Sequence, residues 1–72
     1  MTQQEKQIAA IRALLDAVVE GVKAAGSMGA PGGSLYAALM GVGVSFDQFN
    51  QIMGALVRSG RVTQRGQLYF AA

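Results

Sequence analysis

The chain has no cysteine, no histidine and no tryptophan, and only four acidic residues, Glu5, Asp16, Glu20 and Asp47, among its 72. Without cysteine, neither a disulfide nor a thiolate metal site can supplement the core. Without histidine, and with so few carboxylates, neither a metal cluster nor a nucleophile beside its base can be assembled. The sequence therefore predicts no metal, no cofactor and no enzyme activity. Apolar side chains make up 51% of the residues, more than a disordered chain carries. A domain near this size buries only about 60% of the surface its unfolded chain exposes. Apolar packing must hold it, and self-association would add to that packing.

Long charged runs are also missing, yet what charge there is lies unevenly. Residues 1–25 carry Glu5, Lys6, Arg12, Asp16, Glu20 and Lys23, which cancel. Residues 45–72 carry Asp47 against Arg58, Arg61 and Arg65, so the net charge of +2 sits wholly in this part. All three cations there are arginine, the side chain best matched to phosphate and guanine. From Ala24 to Phe46 no residue is charged, a length that would span a bilayer. Six glycines, three serines and Pro31 make it too weakly apolar for that, and it reads as a loop followed by a buried helix. The N-terminus MTQQEKQ lacks the basic start and apolar core of a secretory signal, so a cytoplasmic location is expected.

A first helix is expected over about residues 3–25. Thr2 and Glu5 have the spacing of a capping box, and Gly26 is a natural stop. Ile8, Ile11, Leu15, Val18 and Val22 recur at spacings of three and four, one stripe on one face, widened by Leu14 and Val19. Core packing explains part of this stripe. Its length exceeds what so small a domain covers, which makes Ile8, Ile11, Leu15, Val18 and Val22 candidates for a homodimer interface. Residues 26–33, GSMGAPGG, read as a flexible loop. They lack the lysine and the preceding strand of a phosphate-binding loop. The double glycine Gly32-Gly33 also fits the end of a cleaved export leader, although the helix caps and hairpin chemistry that follow argue for a folded domain.

Ser34 is expected to cap a second helix over about residues 35–41, with Leu35, Ala38 and Leu39 buried, before a turn at Gly41-Val42-Gly43. A third helix is expected over about 46–59. Ser45 and Gln48 form its capping box, Val44 can staple against Phe49, and Gly60 ends it. Phe46, Phe49, Ile52, Met53, Leu56 and Val57 gather on one side. Asp47, Gln51, Gly54 and Arg58 lie opposite, flanked by Gln48, Asn50 and Ala55. A hairpin over about 61–70 follows at once. A three-residue loop Gln64-Arg65-Gly66 sets Val62 opposite Leu68, with Val62, Leu68 and Phe70 inward and Arg61 and Tyr69 outward. The fold class expected is α+β, mainly α: three helices and a C-terminal two-stranded hairpin in one domain spanning 1–72.

From Ser34 to Phe70, LYAALM, a glycine turn, SFDQFNQIMGALVRSG and RVTQRGQLYF together resemble the winged helix-turn-helix superfamily. The resemblance implies a small DNA-binding protein, a transcriptional regulator whose third helix enters a groove while the hairpin flanks it. Gln48, Asn50 and Gln51 would then face base edges, since amides bond bidentately to adenine. Gly54 and Ala55 would let the helix backbone approach the duplex. Arg58, Arg61, Gln64 and Arg65 would lie along the backbone or, at the hairpin tip, a minor groove, and Ser45 would add a phosphate contact. Double-stranded DNA is the expected partner and a membrane is not. The alternative is a winged-helix module that binds another protein as adaptor or inhibitor, because fold does not dictate function.

Overall fold

A computed structural model describes residues 2–72. Its elements are helix α1 (Gln3–Ala25), a 3-10 turn (Gly26–Met28), strand β1 (Ala30–Pro31), helices α2 (Gly32–Met40) and α3 (Phe46–Arg58), and strands β2 (Val62–Arg65) and β3 (Leu68–Ala71). The fold is α+β and mainly α, with an antiparallel sheet in the order β1-β3-β2.

Thr2 caps α1, its hydroxyl oxygen accepting the Glu5 N–H at 3.1 Å. The reciprocal bond of the box is replaced by one from the Thr2 hydroxyl to Glu5 Oε1. Gly26, at φ 60°, ends the helix. Ser45 and Gln48 complete both bonds of the capping box on α3.

Every helix and strand contributes to one core of Val18, Val19, Val22, Ala30, Leu39, Phe49, Met53, Leu56, Val62 and Tyr69. No polar side chain is buried among the described residues. Apolar burial is worth roughly 25 cal/mol per Å², and with no cysteine in the chain no disulfide adds to it. Only the C-terminal half of α1 joins it. Residues 3–13 are exposed throughout, and a 23-residue helix is about 34 Å long. The helix therefore overhangs the body and stretches the molecule to 40 × 23 × 19 Å.

Four sequence expectations are corrected. First, residues 26–33 are not a plain loop: Ala30 and Pro31 pair with Tyr69 and Leu68, adding a third strand to the expected hairpin. The alanine-proline pair lacks strand periodicity, and proline is tolerated because β1 is an edge. Gly29 adopts φ 80°, and a Cβ there would lie 2.8 Å from the Phe70 ring, so glycine alone lets this segment close over β3. Second, α2 starts at Gly32 with Pro31 at its N-cap, leaving Ser34 inside the first turn as an exposed residue without a capping role. Leu39 is buried and Leu35 half-buried, whereas Ala38 is exposed.

Third, the hairpin turns at Gly66-Gln67 rather than through Gln64-Arg65-Gly66. Arg65 pairs with Leu68, Gln64 with Tyr69 and Val62 with Ala71. Gly66 takes φ 59° while Gln67 keeps a negative φ, the arrangement of a two-residue type II′ turn, whose twist suits the strands. This register differs from the expected one by an odd number of residues, which exchanges the faces of β3. Tyr69 joins Val62 in the core, and Leu68 and Phe70 move to the other face. Fourth, Phe46 and Val57 lie outside the core at the margin of α3. The Phe46 ring instead meets Tyr36 of α2 edge-on, with centroids 5.3 Å apart.

Candidate nucleic-acid interface

The face of α3 turned away from the core carries Asp47, Asn50, Gln51 and Arg58, all exposed, around the half-buried Gly54. Glycine at 54 leaves room for the Arg58 side chain: a Cβ there would stand 3.2 Å from Arg58 Nη1. The guanidinium thus folds back along the helix over a surface with no bulky side chain beneath it. Asp47 sits in the first turn, where a negative charge favours the helix dipole.

Ser45 and Gln48 are differently employed. The Ser45 hydroxyl accepts the Gln48 N–H at 3.2 Å, and Gln48 Oε1 accepts the Ser45 N–H at 2.8 Å. Both side chains are spent on capping the start of the helix. Asn50 and Gln51 are the amides on α3 whose polar atoms make no hydrogen bond among those between described residues.

The three arginines separate by environment. Arg61 Nη2 donates to Asp16 Oδ1 of α1 at 2.8 Å, so its charge is locally offset. Arg65, at the hairpin tip, lies with its guanidinium carbon 5.7 Å from the Phe70 ring centroid, a cation–π arrangement. Gln64 Nε2 donates to the Gly66 carbonyl at 3.0 Å and stiffens the tip. Arg58 and Arg65 remain as cations without an acidic partner among the described residues.

Beside this face lies a feature that residue-by-residue reading missed. An open, mainly apolar groove of about 440 Å³ runs between the middle of α1 and α3. Ile11, Leu14 and Leu15 form one wall, Val44, Ile52 and Ala55 the other, and Gln48 and Gln51 stand at its edge. Ala55, expected beside Gly54 on the outward face, turns into this groove. Of the expected dimer stripe, Val18 and Val22 are inside the core, with Val22 fully covered. Ile8 and Ile11 remain 46% and 56% exposed, and Leu15 half so. The signal for the groove was present in the excess length of the α1 stripe, but its second wall arises only when α3 packs.

Among the described residues no three His, Cys, Asp or Glu side chains come together as metal ligands, and no helix is long and apolar enough to cross a membrane. No protein-family model, curated protein or solved structure matches the chain.

Proposed function

We infer that this is a small winged-helix DNA-binding protein, a cytoplasmic transcriptional regulator that uses α3 and the β2–β3 hairpin. The observation that carries this reading is the pairing of an unobstructed polar face on a doubly capped helix with an arginine-tipped hairpin one short turn away. In this reading Asn50 and Gln51 meet base edges, and Arg58 and Arg65 meet phosphates. Ser45, Gln48, Arg61 and Gln64 support the interface by holding the helix start, the α1–β2 contact and the hairpin tip in place.

Fluorescence anisotropy with random-sequence duplex DNA, from about 20 to 200 mM salt, tests the reading. The two unpaired arginines of the α3–hairpin surface, Arg58 and Arg65, predict a log–log slope near −2 per chain, since about 0.9 counterions are released per phosphate. Absence of binding at the lowest salt would refute it. A second reading, a protein-binding module, is favoured by the apolar groove between α1 and α3, which duplex DNA has no reason to fill. A stoichiometric protein complex, with no DNA shift at low salt, would support that one.

A further inference from the structure

Phe46 opens α3 but takes no place in the core, which Phe49, Met53 and Leu56 of the same helix fill. It stays 57% exposed. Its ring is held all the same. It meets Tyr36 edge-on at 5.3 Å and lies nearly parallel to Phe49, 20° between planes, at 6.4 Å. The two bonds of the Ser45–Gln48 capping box fix the backbone beside it. An exposed apolar side chain with so little freedom has little left to lose when a partner covers it.

Steps of four and seven residues set Phe46, Asn50 and Val57 along one flank of α3. All three are exposed, and the line they form carries no charge. The cations stand beside it, with Arg58 next to Val57 and Arg65 at the hairpin tip. A DNA groove has the same division, uncharged base edges on its floor and phosphates along its walls. Asp47, adjoining Phe46, repels phosphate and leaves base edges as the part of a duplex that this end of the helix can meet. In the major groove the apolar feature of those edges is the thymine C5 methyl. Any other base set against a phenyl ring would leave a donor or acceptor without a partner.

Resting on the DNA reading above, we propose that Phe46 determines specificity by covering the C5 methyl of a thymine within two base steps of the adenine that Asn50 reads. The spacing fits, because four helical residues advance about 6 Å and two base steps about 7 Å. Asn50 supplies the hydrogen bonds of this pair of contacts and Phe46 the apolar one.

The experiment selects a preferred site from a random duplex pool with the full chain. Each thymine of that site is then replaced singly by deoxyuridine, which removes the methyl and keeps every hydrogen-bonding group, and affinity is read by anisotropy. One position is expected to weaken binding about fourfold, the worth of one buried methyl. It should lie within two steps of an adenine that Asn50→Ala no longer distinguishes. Phe46→Ala should abolish the deoxyuridine penalty without changing the salt slope, and Phe46→Leu, still apolar, should keep most of it. Phe46 lies outside the core, so both variants should retain the circular dichroism spectrum, and the deoxyuridine scan of the wild-type chain needs no variant at all. Equal affinity for thymine and deoxyuridine sites, a penalty that persists in Phe46→Ala, or a pool that yields no preferred site overturns the proposal while the DNA reading stands. No binding to any duplex at about 20 mM salt removes both.

Discussion

Gly29 concentrates several constraints in one residue. Its φ of 80° is strained for other residues, and the Phe70 ring occupies the place of any Cβ. Gly29→Ala is expected to destabilise the fold by about 2–4 kcal/mol, from backbone strain of roughly 1–3 kcal/mol plus overpacking, read as a lowered urea midpoint. Asp16 behaves oppositely. Its pair with Arg61 is substantially exposed, with side chains 66% and 44% accessible, so Asp16→Ala should cost no more than about 1 kcal/mol. The same change releases Arg61. If the hairpin contacts phosphates, the salt slope of DNA binding should steepen by roughly one; an unchanged slope would remove Arg61 from the interface. At this scale the sequence was partly legible: the arginine excess was plain, but which arginine has an acidic partner depends on a contact between residues distant in the chain.

The elements were most legible where local chemistry dictates them. Thr2, Gly26, Ser45 and Gln48 mark helix ends through bonds to neighbouring backbone, and such bonds need no tertiary knowledge. Ser45→Ala should therefore cost about 1 kcal/mol, measurable by thermal unfolding. The strands were harder to read. Leu68-Tyr69-Phe70 is apolar without alternation, so period-two patterning does not choose its inward face. The choice is made by Gly66 as the first residue of a two-residue turn and by β1 on the other edge. The start of α2 is hidden for a related reason: Ser34 is a good cap in isolation, but pairing of Ala30 and Pro31 with β3 hands the chain into the helix at Gly32.

On the scale of the molecule, the overhang of α1 separates two regions of different stability. Amides of Val18 to Val22 lie over the core, whereas the turns before Ile11 have no tertiary support within one chain. An isolated helix of that length is marginal in water. Hydrogen exchange should show amides of residues 7–11 exchanging quickly and those of Val18 to Val22 slowly. Equal protection along the whole of α1 would count against this division. The sequence carried this division as a stripe too long for its domain, but not the position of the boundary, because that depends on where α3 and the sheet come to lie.

The sheet order has a consequence for how the protein is made. β3, nearest the C-terminus, is the middle strand, and β1 and β2 are joined only through it. A ribosome delivers α1, β1, both later helices and β2 before Tyr69 exists, so the nascent chain waits with an open core. Its helices can form and collide early, but the sheet closes only when Leu68 to Ala71 emerge and slot between two strands already present. Release of these residues, rather than synthesis of any helix, is then the event that commits the chain to its fold. A nascent chain stalled before Leu68 should be protease-sensitive throughout, and one extended by a linker long enough to clear the exit tunnel should be resistant.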